Sequence, residues 1–324
     1  MEVILNSVAW LLILCSFVPL LPSSHWLVRV WEFPRLQIAS LMLITFCGYI
    51  FHVTLAPLSL FMGFTLLVLL ASFTYQCFWI IPYTPLYRKE VQKQAKPNSG
   101  ILLSILSSNV YMPNNDFSKL VEHVRQKSPD FLVTLESNKK WEEGIKDIED
   151  AYPFRKACPL DNLYGMHIYS KHALESAELR FLVEDDVPSI KVKTLINGQQ
   201  ISLWFVHPKP PSPTENKYAK PRDIELHIVG KEVKDQDGPV IVAGDLNDVA
   251  WSPTTRHFKK ISGLKDPRVG RGFFNTFHAH YPFIKWPLDH VFHSEHFELV
   301  EITKLSDIGS DHFPLFTQLA LKPD

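Results

Sequence analysis

The sequence predicts a mixed α/β domain carried behind a membrane anchor of about three transmembrane helices. Three observations carry this reading. The chain of 324 residues has no Asp, Glu, Lys or Arg between Leu36 and Tyr87. Beyond that run, apolar stretches of strand length alternate with stretches of helical periodicity. Several of the strand-like stretches are followed at once by Asn, Glu, His or Asp. Strand interiors disfavour those residues, and strand ends are where sheets present side chains to a ligand.

Composition sets outer limits. There are 33 Lys plus Arg against 34 Asp plus Glu, a formal charge of −1, with 46 % apolar and 21 % charged residues. Such a chain can bury a sizeable core and is neither disordered nor collagen-like. Its charge balance argues against holding nucleic acid mainly by long-range attraction, although a local basic groove stays open. Cys15, Cys47 and Cys77 lie in apolar stretches and only Cys158 in the polar remainder, so no disulfide framework or zinc-type pair is legible.

The uncharged run covers 52 residues. As one helix it would be roughly 78 Å long against a hydrocarbon core of about 30 Å, enough to cross twice. A turn near His52–Pro57 divides it into spans at 36–54 and 57–81, and a further apolar segment at 3–21 precedes them. A signal peptide is the competing reading of that first segment, but Glu2 stands where a basic region belongs and two more spans follow. Arg29 and Arg35 share one loop, and Arg88, Lys89, Lys93 and Lys96 follow the last span. A hairpin puts both groups on one face, which the positive-inside rule makes cytoplasmic. The expected organisation is an anchor over 1–82, a linker over 83–100 that includes "KPNSG", and a soluble domain over 101–324. Linker and soluble domain together, residues 83–324, are neutral in their own right, with 31 basic and 32 acidic residues.

Within it, "ILLSILSSN" reads as a buried strand ending at Asn109. Phe117, Leu120, Val121 and Val124 then mark one helix face, with Asn115 or Asp116 placed to cap it. "DFLVTLE" is a second strand ending at Glu136. "IKVKTLI" and "QQISLWFVH" flank Asn197-Gly198, a type I′ hairpin signal, and the second of them ends at His207. Leu226, Val229 and Val233 mark another helix, which feeds "PVIVAGDLND" with Asp245 and Asn247 at its end. "PLDHVFHS" places Asp289 early in a short strand, and Ser310-Asp311-His312 precedes "FPLFTQLAL". Any one of these polar residues could simply begin a turn. Side by side, the strand ends would converge into one polar cluster.

Carboxylates with amides and waters are hard oxygen ligands that suit Mg²⁺ or Mn²⁺. Histidine can move protons near neutrality, so the cluster suits hydrolysis of a phosphate ester. No P-loop, no G-x-S-x-G elbow and no H-E-x-x-H helix occurs.

Taken in order, Asn109, Glu136 in "TLES", His207 in "FVHPKPP", "AGDLND", "PLDHVF" and "SDH" resemble the endonuclease/exonuclease/phosphatase superfamily. Apolar spans ahead of such a domain resemble its membrane-tethered bacterial members, which implies a multi-pass protein of the bacterial inner membrane. The resemblance implies a four-layer sandwich, two packed mixed β-sheets with helices outside, and metal-dependent attack of water on phosphorus. It further implies that Glu136 ligates Mg²⁺ or Mn²⁺ with Asn109 and Asp311 assisting, and that Asp245 orients or deprotonates the water. Asn247 would hydrogen-bond phosphoryl oxygens, His312 paired to Asp289 would contact the phosphate, and His207 would be a second contact or proton donor. The choice of base between Asp245 and His312 stays open.

Arg222, Arg268 and Arg271 are candidate substrate contacts, with loop bracing the alternative for Arg222. Thr276 and His278 resemble a T-x-H stretch of that family, with packing the alternative; His257, His293 and His296 are expected at the surface, and Trp141 and Trp251 in the core or at its rim. The expected partners are the lipid bilayer and a phosphate-ester substrate, lipid-linked in the favoured reading. A tethered nuclease acting on DNA or RNA is the alternative, and an inactive binding module a third.

Overall fold

The computed structural model describes residues 1–94 and 100–322. Lys96 and all of "KPNSG" but Gly100 lie outside the described residues. At the start of the chain three apolar helices, α1 (Glu2–Phe17), α3 (Arg35–Val53) and α4 (Leu60–Ile80), pack as an up-down-up bundle, with the single turn α2 (Trp26–Arg29) in the first connection. Buried polar pairs set its registry: Tyr49 donates to Asn6 at 2.7 Å, and Arg35 donates to Gln76 at 3.0 Å. The stretches Glu2–Leu20, Arg35–Val53 and Leu60–Tyr83 are long and apolar enough to cross a membrane. The last begins later than expected because Ser59 caps it, its Oγ accepting from the Met62 N–H at 3.2 Å.

The remainder is built on two mixed sheets. The first has the order β10 (Phe297–Lys304), β11 (Leu315–Leu321), β1 (Leu102–Asn109), β2 (Phe131–Leu135), β4 (Met166–Ser170), β3 (Phe154–Cys158). The second runs β5 (Leu174–Arg180), β6 (Ser189–Ile196), β7 (Gln199–Val206), β8 (Val240–Asp245), β9 (Asp289–His293). Each sheet contains one parallel pair joined by a crossover helix: β1 and β2 through α5 (Phe117–Lys127), β7 and β8 through α7 (Lys220–Lys234).

Alternation along the strands sends Ile105, Val133, Leu203 and Ile241 into a core between the sheets. Leu106 and Leu132 face the opposite way, onto α5 and the short α6 (Lys139–Gly144). Trp204 and Val242 face α7 and α8 (Pro253–Ser262). The result is a four-layer αββα sandwich. Asn197 and Gly198 take φ of 51° and 86°, as a type I′ turn needs. At α5 neither expected cap acts: Asp116 holds the N-cap position but its carboxylate accepts from Ser118 Oγ at 3.1 Å rather than from a backbone N–H, and Asn114 accepts its N–H at 3.0 Å.

The segment expected as a linker is packed where it is described. Val91 enters the inter-sheet core, and Gln94 pairs with Leu299 on β10 at 2.9 Å. The helical bundle is likewise seated on the sandwich. Trp251 donates to the Glu32 carbonyl at 2.7 Å, Tyr83 donates to the Ala250 carbonyl at 2.5 Å, and Ile80 and Ala39 pack with Val249, Trp251 and Leu288.

On α7, Glu225 is buried with Oε1 unpartnered. Burial, with Glu184 nearby, pushes its carboxyl up to about 8. The folded chain therefore keeps a proton that the unfolded chain releases from about pH 4.5 upward, so this residue's contribution to stability declines as pH rises from about 4.5 to 8. Glu225→Gln should flatten that decline and raise the Tm at pH 8, by about 2–4 °C for each kcal/mol recovered. Thermal melts of both proteins at pH 5 and pH 8 check this, and an unchanged difference between the two pH values would contradict it.

Candidate active site

Parallel pairing brings strand ends of like sense together, and that is how the cluster forms. Asn109 ends β1 opposite Leu135, so Glu136 follows beside it. Val206 ends β7 opposite Gly244, so His207 follows beside Asp245. On the other flank of β8, antiparallel β9 sets Asp289 directly opposite Asp245. Gly244 makes the tight approach possible: its φ is 143°, and a Cβ there would stand 2.0 Å from the Val206 carbonyl oxygen.

Contacts then join the two sheets. The Asn109 amide donates to Glu136 Oε1 at 2.8 Å and to Asp245 Oδ2 at 3.2 Å. His312 Nδ1 meets Asp289 Oδ2 at 2.8 Å, while its Nε2 faces Asp245 Oδ2 at 3.5 Å. His207 Nε2 faces the same oxygen at 3.8 Å. Supporting residues hold this arrangement. Ser310 Oγ donates to the Asn109 carbonyl at 2.8 Å and accepts from the His312 N–H at 3.0 Å. Thr276 Oγ1 accepts from the Asp289 N–H at 3.2 Å.

Glu136 and Asn247 are both left-handed, with φ of 57° and 49°. A non-glycine residue there costs energy and persists where its surroundings enforce it. At Glu136 the enforcement comes from Ser137, whose N–H donates to Gly165 at 3.0 Å and whose hydroxyl meets His167 Nδ1 at 2.6 Å. At Asn247 the backbone N–H donates to Asp245 Oδ1 at 2.8 Å and the side-chain amide to the Pro208 carbonyl at 3.0 Å.

Electrostatics separates the groups. Burial pushes His312 down, but Asp289 and Asp245 overcome it and hold the imidazole protonated, up to about 10. Burial takes His207 the other way, down to about 4, with Asp245 opposing only in part. His207 is therefore neutral at pH 7, and its Nδ1 has no partner among the described residues. Burial raises Asp245 and carries Glu136 up to about 8, against the Asn109 hydrogen bond.

The donor set fits a hard divalent cation. Glu136 is a half-buried carboxylate with one amide for company, and Asp245 adds a further oxygen beside it, while Asn109 Oδ1 accepts from the Tyr111 N–H at 3.1 Å. Asp311, half-buried, bears on Glu136 by its charge. A second grouping, Asp245, Asp289 and His312, has ligand atoms within 4.8 Å of one another. There both imidazole nitrogens already face carboxylates, so the grouping reads as a hydrogen-bonded acid–base chain rather than a metal cage.

The three arginines are not brought to the cluster's open side, which corrects the expectation that they contact substrate. Arg222 is buried, donating to the Asn247 carbonyl at 2.8 Å and pairing with Asp248 at 3.3 Å, so it braces the loop. Arg268 is buried against Asp266 at 2.9 Å and donates to the Asp289 carbonyl at 3.1 Å. Arg271 donates to the carbonyls of Pro267 and Val91. His293, expected at the surface, is buried as well, whereas His257 is exposed and Trp141 and Trp251 are in the core.

Sequence reasoning missed Phe277, whose ring lies 5.0 Å from that of His312, and Tyr164, 5.1 Å from His207. It also missed Glu215, which accepts from the Tyr164 hydroxyl and which burial and Asp245 raise to about 7. Nothing in "PSPTENKY" distinguishes that glutamate from any loop acid.

A model of the Endonuclease/Exonuclease/phosphatase family matches residues 106–312. No curated protein matches the sequence. Solved structures share the fold at low identity. D. rerio TDP2 complexed with a single-strand DNA product is 15 % identical with a TM-score of 0.57, covering 67 % of this chain and 98 % of its own. An endonuclease/exonuclease/phosphatase from Bacteroides vulgatus is 15 % identical at 0.56, covering 68 % and 100 %. One from Beutenbergia cavernae is 17 % identical at 0.54, covering 68 % and 72 %.

Arg268 gives a direct check on the corrected assignment. Arg268→Ala should cost about 3–5 kcal/mol of stability by leaving Asp266 buried and unpaired, with no rise in KM for the folded fraction. A normal melt with raised KM would return Arg268 to the substrate.

Proposed function

The chain belongs to the endonuclease/exonuclease/phosphatase family, and from that premise we propose that it is a membrane-anchored, Mg²⁺- or Mn²⁺-dependent phosphohydrolase acting on a lipid-linked phosphate ester. One observation carries the proposal. Six strand-end polar residues from two sheets meet in one buried cluster, in which a protonated His312 lies beside Asp245 and Asp289 and a neutral His207 flanks Asp245.

Each residue then has a task that its surroundings suit. Asp245, raised by burial, accepts the proton of the attacking water as the new P–O bond forms. His312 is oriented by Asp289 and carries its positive charge toward a phosphoryl oxygen. His207, neutral with Nδ1 unpartnered, offers a hydrogen bond to the leaving oxygen or a second phosphate contact. Asn247 keeps one amide hydrogen beyond its bond to Pro208 for the same anion. A divalent ion held by Glu136, with Asn109 and Asp311 assisting, would neutralise charge that develops on the phosphoryl group.

The anchor supports the lipid-linked substrate. Three helices of spanning length keep the cluster close to the bilayer, which raises the effective concentration of anything resident there. Arg29, Arg35, Arg88 and Lys89 all lie at the end of the bundle that bears the sandwich, favouring its cytoplasmic placement. A nuclease reading draws on the likeness to D. rerio TDP2 with its DNA product. The neutral charge balance and the inward-turned Arg222, Arg268 and Arg271 weigh against it, because phosphate neutralisation dominates nucleic-acid affinity.

Full-length protein in detergent micelles should release phosphate or phosphomonoester from polyprenyl pyrophosphates or phospholipids with Mg²⁺ and lose this activity on chelation. His312→Ala should lower turnover by about 10²–10⁴-fold with the melt largely kept. Undiminished turnover in that variant would sink the assignment, and metal-dependent cleavage of plasmid DNA alone would make the protein a tethered nuclease. A reporter fused after Asp324 that is active only in the cytoplasm is the expected topology result; activity only outside would reverse the placement.

A further inference from the structure

From the His312 ring a run of aromatic side chains leads to the anchor. Phe277 lies 5.0 Å from His312, Trp286 lies 5.9 Å beyond Phe277, and Phe33 lies 5.3 Å from Trp286. Phe33 stands two residues before Arg35, where the second candidate span begins. Three ring-to-ring steps therefore bound the distance from the imidazole to the Phe33 ring, beside the start of that span, at about 16 Å. The headgroup layer of one leaflet is itself about 5–7 Å deep. From the level of Phe33 a lipid phosphate would rise by about 10 Å to reach His312, drawing only the first part of its hydrocarbon out of the membrane.

The segment between Phe277 and Trp286 is a hairpin. Phe277 N–H donates to the Trp286 carbonyl at 3.0 Å and His278 N–H to the Ile284 carbonyl at 3.0 Å. Its tip exposes Tyr281 by 55 % and Phe283 by 85 %, with Ile284 beside them. This tip is not free in space: the Gln37 amide, in the first turn of α3, donates to the Phe283 carbonyl at 3.0 Å. An apolar tip fastened to the end of a spanning helix lies at the level of the interface, where Tyr and other aromatic rings are favoured.

We propose that the hairpin 277–286 is an interfacial wall. Its tip dips into the leaflet beside α3, and the hydrocarbon of an amphiphilic phosphate ester rests along Phe277, Trp286 and Phe33 while its phosphate reaches His312. The occupant is a lipid of the surrounding leaflet, because the exposed patch is continuous with the lipid-facing start of α3 and carries no free cation. Lys285, the one Lys or Arg of the hairpin, is turned inward onto the His278 and Ala279 carbonyls, and His280 faces Asp307 at 3.5 Å. The proposal deepens the phosphohydrolase reading and rests on it for the chemistry, but the contact of the wall with lipid can be measured without turnover.

The test uses full-length protein in nanodiscs of phosphatidylcholine and phosphatidylglycerol, with a photoreactive benzoylphenylalanine placed at position 283. The control position is Leu195, which is 50 % exposed. It pairs with Gln200 beside the Asn197-Gly198 turn, at the end of β6 and β7 opposite the cluster. Irradiation should give lipid adducts at 283 and none at 195, read by mass spectrometry; no adduct at 283, or equal adducts at both, overturns the proposal. In parallel, Tyr281→Asp with Phe283→Asp should lower turnover of a vesicle-borne phosphate ester at least tenfold while turnover of soluble bis(p-nitrophenyl) phosphate stays within twofold. Equal loss on both substrates, or no loss on either, also overturns it. Silence of the unaltered protein on both substrates would count against the phosphohydrolase reading alone, and the adducts would still decide the wall.

Discussion

The active cluster depends on two buried carboxylates, Asp245 and Asp289, that strand register sets face to face on β8 and β9. Two like charges at adjacent positions in a low-dielectric interior repel strongly unless something positive joins them. The His312 imidazole does so, reaching Asp289 with one nitrogen and facing Asp245 with the other. Its protonation is a consequence of that position: burial opposes the charge and the two carboxylates outweigh burial. The same argument explains His207. It faces Asp245 but no second acid, burial wins, and the ring stays neutral. Two histidines near one aspartate thus differ in charge because one has an extra carboxylate partner.

This arrangement spans both sheets, so it exists only while they stay packed. Asn109, Glu136 and His312 come from the first sheet or the segments around it, and His207, Asp245 and Asp289 from the second. The Asn109 amide and the His312 ring are the bridges. The helical bundle joins the same unit, since Val249, Ala250 and Trp251 follow shortly after Asp245 and pack on Ile80 and Tyr83. Opposite them the proline-rich loop is stitched to the first connection of the anchor, where Ala219 donates to Ser24 and Trp26 to Lys217. The helical bundle is thereby a supporting wall for the loops around the cluster.

The buried strands and the polar residues at their ends were legible because both follow from local rules. A strand covered on both faces is mostly apolar and free of charge in its interior, as β1, β2, β7 and β8 are, and a strongly polar residue at its end breaks that pattern visibly. β3, β5 and β10 were not legible. Phe154–Cys158, Leu174–Arg180 and Phe297–Lys304 are edge strands carrying charges that blunt unwanted pairing, so they lack the apolar signature. The linker reading failed for a related reason, because Val91 is one apolar residue among polar neighbours and only tertiary contact shows that it is buried. Tyr164, Glu215 and Phe277 reach the cluster from loops, where position is set by long-range packing.

The arginines show how far charge can mislead when only its sequence position is known. Arg222, Arg268 and Arg271 flank the expected loops, and in sequence they look available to an anion. In the fold their guanidinium groups satisfy backbone carbonyls and acids that the loops would otherwise leave unpaired: Asn247 and Asp248, Asp289 and Asp266, Pro267 and Val91. A guanidinium has five donors in a rigid fork, which makes it well suited to holding a loop that lacks secondary structure. Turning these cations inward leaves the cluster ringed by aromatic and polar groups. The exposed Arg88 and Lys89 lie instead just past the last helix, with their backbone against Gly270. Arg222 and Arg268 thus serve the segments that carry Asn247 and Asp289, and Arg271 ties its own loop to the strand-like segment at Val91.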